Sequence, residues 1–261
     1  MIITREKLDR LYEMYNHRRY VHPDPLEFLY AYPDILEREL VGLIASSLAY
    51  GRVTQILKSV SSVLEKMAPS PRSFLIDSTP KSLLACFSGF KHRFTTGDEM
   101  AYMLLGAKQA IEQYGSLYDC FLAGLNENDD SIIPAVSAFI NKLNSATAKG
   151  VNSLLPSPER GSACKRMNLF LRWMVRKDRV DPGGWDKVPR SMLIIPLDTH
   201  MHKICTDLNM TCRKNADMPT AVEITEAFRK IAPEDPVRYD FSITRLGIRK
   251  DADLESFLRD C

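Results

Sequence analysis

No C-x-x-C pair occurs in this sequence, although it holds six cysteines: Cys86, Cys120, Cys164, Cys205, Cys212 and Cys261. No His/Cys/Asp set has zinc spacing either. His200 and His202 are two apart, so a helix would point them in different directions. No zinc site is expected from this spacing. No apolar run approaches a membrane span, so no membrane partner is expected. The start, Met1-Ile2-Ile3-Thr4-Arg5-Glu6-Lys7, lacks a signal-peptide layout. The expectation is a cytoplasmic chain with reduced, partly buried thiols. Charge of neither sign dominates: the net value is +2, so no global basic field argues for nucleic acid. Alternating strand patterns with hairpin turns are missing, and the run Ser191 to Leu197 stands alone as an extended stretch. There is no internal repeat and no low-complexity tract. Hydrophobic and charged fractions of 45% and 26% are ordinary for a folded globular chain. A length of 261 residues gives one large domain or a two-lobed unit with a substantial core.

What is present reads as helix almost throughout, so the expected class is all-α. Asp34-Ile35-Leu36-Glu37 is a capping-box signature before an apolar-rich helix to about Ala49. Thr79-Pro80 is an N-cap with proline at the first helical position. Gly97-Asp98-Glu99 precedes a helical run from Met100 to Tyr114, closed by Gly115. Ser131 to Leu143 gives another. Thr220-Ala221-Val222-Glu223 is a further capping box, with Pro233 as its stop. Asp235-Pro236 opens the last long helix, to about Gly247. Loose joints fall at Pro69-Ser70-Pro71, Asn126–Asp130, Ala146–Pro158 and Arg179–Arg190.

Two segments carry chemistry. In Ile195-Pro196-Leu197-Asp198-Thr199-His200 an apolar run stops at an acid where a helical pattern begins. Asp198 is placed as an N-cap, and the backbone N–H groups and helix dipole favour its ionised form. It either caps the helix only or also stabilises charge on a reacting group. In Gly161-Ser162-Ala163-Cys164-Lys165-Arg166-Met167-Asn168 a turn leads into an apolar-faced helix, with Lys165 at its mouth. The helix dipole, Arg166 and partial burial would each disfavour the ammonium, which is what an amine nucleophile needs. The plainer alternative is a solvated surface lysine. Basic residues cluster at His17-Arg18-Arg19, at Lys91-His92-Arg93 and along Lys165, Arg166, Arg172, Arg176, Lys177 and Arg179. On a helix Lys165, Arg172, Arg176 and Arg179 share one side. That stripe is either a solvated face or a phosphate contact.

Together the two segments resemble the helix-hairpin-helix DNA glycosylase superfamily, with its Gly-x-Gly-x-Lys-x-Ala-like hairpin and downstream Val-Asp-x-His. Gly161, Ala163, Lys165 and Asn168 fall at the matching offsets, and Leu197-Asp198-Thr199-His200 matches the second segment. The spacing from Lys165 to Asp198 is similar to the archaeal 8-oxoguanine DNA glycosylase branch. Nearly the whole chain, including Asp235-Pro236-Val237-Arg238-Tyr239-Asp240-Phe241, resembles an uncharacterised bacterial family, domain of unknown function 2400. Ala163 departs from the hairpin glycine, and the cysteines lack the C-terminal cluster that holds an iron–sulfur centre in some glycosylases.

The resemblance implies two helical lobes, about 35–170 carrying the hairpin and about 1–34 with 171–261. It implies a glycosylase with β-lyase activity on oxidised purine in double-stranded DNA, acting as a monomer without cofactor. Lys165 would be the nucleophile and Asp198 the charge stabiliser. Gly161, Ser162, Arg166, Arg172 and His200 would contact the DNA backbone. Tyr50 and Arg52 occupy the neighbourhood of the superfamily's duplex-wedging turn. Trp173, Trp185, Tyr50, Tyr239 and Phe241 are candidate aromatics for a flipped base. Trp185 stands out because it follows two glycines in a loop. Asp240 and Arg238 either border the base pocket or form a structural ion pair. The alternatives are a non-catalytic nucleic-acid-binding protein on the same scaffold, and a helical interaction protein that binds no nucleic acid.

Overall fold

The computed structural model of the chain describes residues 3–147 and 152–248. Cys261 and residues 148–151 of the joint before Pro158 lie outside them. The described residues are predominantly α-helical. In chain order the helices are α1 (Arg5–Tyr15), α2 (Ile35–Ser47), α3 (Val53–Lys66), α4 (Pro71–Asp77), α5 (Pro80–Phe87), α6 (Gly97–Tyr114), α7 (Leu117–Leu122), α8 (Ile133–Asn144), α9 (Lys165–Val175), α10 (Thr199–Asp207), α11 (Met218–Ile231) and α12 (Asp240–Ile248). One small antiparallel hairpin interrupts them: β1 (Lys91–His92) and β2 (Thr95–Thr96), with His92 opposite Thr95. No alternating pattern announced it, because two-residue strands are too short to show one.

Local capping sets most helix starts. Asp34 accepts from the N–H groups of Leu36 and Glu37. Glu37 does not complete the expected capping box; its carboxylate takes the Ser70 hydroxyl and the Arg72 N–H instead. Thr79 with Ser82, and Thr96 with Glu99, form reciprocal boxes. Gly115 ends α6 at φ 93°, where a side chain would be strained. Two expected starts are corrected. Helix α11 begins before Thr220, because Asp217 caps it and Glu223 is taken by Thr211. Asp235 opens no helix: Arg176 holds both its carboxylate oxygens, the chain turns through Arg238, and α12 starts at Asp240.

By internal contacts the chain divides into two compact units. One comprises Pro23–Asp129 and Ile133–Arg160. There α6 packs against α5, α7 and α8. Gly106 lets α6 approach α8 closely; a Cβ there would lie 1.8 Å from the Leu143 carbonyl oxygen. Leu40, Leu43, Val60, Phe87, Leu104, Phe121 and Phe139 are buried around it. Glu39, fully buried, accepts from the Leu117 and Tyr118 N–H groups at 2.8 and 3.1 Å and so caps α7 from α2.

The other unit holds the described residues of Met1–His22, Asp130–Ile132 and Gly161–Cys261. Here α12 packs on α1 and α10, over buried Leu8, Trp173, Met201, Phe228 and Phe241. The hairpin segment 161–170 groups with this unit, not with the central residues. Ser162 bridges Asp217, and the Met218 N–H reaches the Gly161 carbonyl at 3.4 Å.

Candidate functional site

The turn before α9 is built from two left-handed residues, Gly161 at φ 77° and Cys164 at φ 48°. The Ser162 hydroxyl accepts the Cys164 N–H at 3.1 Å, and Asn168 donates its side-chain amide to the Ala163 carbonyl at 3.0 Å. These bonds fix the turn, so α9 begins at Lys165. The element directly before it is a three-residue 3-10 turn, Pro158–Arg160, rather than an α-helix.

Asp198 caps α10, as its position in the sequence suggests. Its Oδ1 accepts from the His200 and Met201 N–H groups at 3.0 and 2.9 Å. Its Oδ2 lies 3.8 Å from Lys165 Nζ. The two side chains are 30% and 31% exposed, so the pair is partly shielded from water. Beside it, burial pushes the Cys164 thiol up to about 11, against the pull of Ser162 and Arg166. Cys164 is therefore a poor thiolate at neutral pH.

Below the pair lies an ion network that the basic-stripe reading missed. Arg172 is buried and bonds to Asp181 and Asp240; Arg176 is buried and bonds to Asp178, Asp181 and Asp235. Neither arginine is placed to meet a phosphate, which corrects Arg172 as a DNA-backbone residue. Burial opposes the charge on Arg176, but the carboxylates of Asp181, Asp235 and Asp178 raise its pKa overall. Burial drives Asp181 up to about 6, against the pull of both arginines. Asp240 is raised by burial too, with Arg172 opposing, and it senses both Asp198 and Lys165. It is a structural partner of Arg172 beneath the site, 2% exposed, rather than an open pocket residue. Of the remaining backbone candidates, Gly161 and His200 are exposed and Ser162 and Arg166 are half-buried. Arg179 is exposed and pairs with Glu13.

The aromatic candidates are corrected in the same way. Trp185 is fully buried, edge-on to Phe170 at 5.1 Å, and its backbone N–H donates to the Met174 carbonyl. The Gly183-Gly184 turn folds it inward instead of presenting it. Trp173 and Phe241 are also buried. Tyr239 is buried, with its hydroxyl on Asp9 at 2.8 Å. None of these four rings offers a face to a base. Tyr50 and Arg52 belong to the other unit, where Tyr50 is half-buried and Arg52 exposed. Asp178 and Asp181 went unread in the sequence, and Asp235 was read as a helix start; arginines at i and i+4 followed by an acid-rich loop were the available signal. Among the described residues no group of three or more His, Cys, Asp or Glu side chains converges to hold a metal ion. None of their helices is long and apolar enough to cross a membrane.

Residues 24–249 match the family described as "Protein of unknown function (DUF2400)". The chain belongs to this family. The match takes in the turn before α9, Lys165, Asp198 and the residues of the buried network from Arg172 to Asp240. No curated protein and no solved structure matches the chain.

Proposed function

We propose that this DUF2400 chain is a DNA glycosylase with β-lyase activity, on a two-lobed helical scaffold of the helix-hairpin-helix glycosylase type. Its substrate is oxidised purine, such as 8-oxoguanine, in double-stranded DNA. The observation that carries the reading is the pairing of Lys165 Nζ with Asp198 Oδ2 at 3.8 Å, each about one-third exposed, with the other Asp198 oxygen held by the helix cap. Bound by its cap, the carboxylate keeps its orientation while positive charge builds on the sugar, which stabilises that charge better than water does. The Lys165 amine forms a bond to C1′ as the glycosidic C–N bond breaks and the base leaves with the bonding pair. Loss of a proton from nitrogen and opening of the sugar ring give an imine. Removal of a C2′ proton then expels the 3′ phosphate. A pure binding module needs neither an amine nor a carboxylate at these places. The chain acts as a cytoplasmic monomer on nucleoid DNA in this reading. Borohydride reduction during turnover tests it, since an imine becomes a stable protein–DNA bond and a non-catalytic binder leaves none.

A further inference from the structure

Among the described residues Met14 and Phe94 are the large hydrophobic side chains left exposed, and Phe94 is 63% exposed. Phe94 occupies the two-residue turn between β1 and β2 together with Arg93. Arg93 has φ 53° at the first turn position, where glycine is the usual occupant. A long cationic side chain is thus kept at a backbone conformation that disfavours it. The tip is firmly mounted. His92 is buried, with Nδ1 2.9 Å from the Ser59 hydroxyl and Nε2 3.0 Å from the Tyr50 carbonyl. Tyr50 donates its hydroxyl to the His92 carbonyl at 2.9 Å. Its ring backs Phe94 at 5.1 Å and lies 5.9 Å from the Arg93 guanidinium. Gly51, at φ +96°, leaves the space; a Cβ there would meet Arg93 Cδ at 2.8 Å.

The charged residues within the hairpin are basic, and the first acid after it, Asp98, lies exposed in the first turn of α6. Arg52, Lys91 and Arg93 are exposed, and no Asp or Glu occurs between Asp77 and Asp98. Glu99, just beyond, is occupied by the N–H groups of Thr96 and Ser153. An exposed ring backed by a second ring and bordered by cations suits a nucleobase face and its flanking phosphates. One phenyl ring among lysine and arginine is too small an apolar patch for the core of a protein interface, where lysine is depleted.

We infer that the Arg93–Phe94 tip binds DNA where base stacking is broken: Phe94 stacks on an exposed base, and Arg52, Lys91 and Arg93 contact neighbouring phosphates. This rests on the DNA reading above but not on the chemistry of Lys165. The test is binding of the full chain to two duplexes, one intact and one with a single tetrahydrofuran abasic analogue. That analogue has no C1′ leaving group and forms no imine, so catalysis does not enter. Wild type should prefer the interrupted duplex. Phe94→Ala should lose that preference by about tenfold, and Phe94→Trp should keep it. Arg52→Ala and Lys91→Ala should weaken both duplexes alike and flatten the salt dependence. An unchanged preference in Phe94→Ala overturns the inference, as does a wild type that binds neither duplex. A Phe94-dependent preference in a protein that traps nothing with borohydride retains this inference and removes the catalytic reading. Trapping with an unaltered Phe94→Ala preference does the reverse.

Discussion

The two oxygens of Asp198 have separate tasks: Oδ1 closes the start of α10, and Oδ2 meets Lys165. Substitution can therefore separate folding from chemistry. Asp198→Asn keeps an amide oxygen for the cap, so its melting temperature should stay within a few degrees of wild type. It loses the negative charge, so single-turnover excision from an 8-oxoguanine duplex should slow by about a hundredfold or more. A rate that falls only as far as stability falls would leave Asp198 a cap and nothing else. Asp198 was legible in the sequence because an N-cap is a local signal, written in the step from apolar run to acid to helix. Lys165 was legible for the same reason, from the turn residues just before it. The burial of Arg172 was not, because its acceptor Asp240 lies 68 residues away.

Helix α9 joins that surface pair to the buried network through Arg172 and, at its end, Arg176, about two and three turns further along. Arg172→Met should cost about 3–5 kcal/mol in urea unfolding, because it strands buried Asp240 without its arginine and leaves Asp181 with Arg176 alone. Arg179→Ala should change stability by less than about 1 kcal/mol, since its pair with Glu13 is more than half exposed on both sides. Equal costs for the two would mean that the buried network carries no special weight. Asp178 gives the network a pH signature. Burial opposes its charge, but Arg176 and the Val180 and Asp181 N–H groups outweigh it, and its pKa is lowered. A lowered carboxylate stabilises the fold above its unfolded value and loses that contribution as pH falls through the folded value. The stability gap between wild type and Asp178→Asn should thus be full at pH 7 and close below about pH 4. A gap constant from pH 7 to pH 3 would exclude the charge as its cause. Elsewhere, Glu39→Ala should cost about 3 kcal/mol, because two buried N–H groups of α7 lose a charged acceptor; thermal or urea unfolding measures it.

At the scale of the whole chain, the helical class and most helix starts follow from caps and periodicity, both short-range. Apart from the start of α11, which Asp217 sets locally, the misread side chains share one physical cause: they depend on partners far along the chain. Glu37 leaves its own helix start for Ser70 and Arg72, Asp235 is captured by Arg176, and Trp185 turns inward onto Phe170. The β1–β2 tip escaped for another reason, since two residues a side give no alternation to read. Lys165 and Asp198 escape this kind of misreading because each is placed by its own helix end. The most direct measurement is borohydride trapping of the purified chain on an 8-oxoguanine duplex, with Lys165→Gln beside it. The account predicts a covalent protein–DNA species and strand nicking from wild type, and neither from Lys165→Gln, which still binds the duplex through its phosphate contacts. An equal yield of trapped species from Lys165→Gln, or none from wild type across a panel of damaged bases, would contradict it.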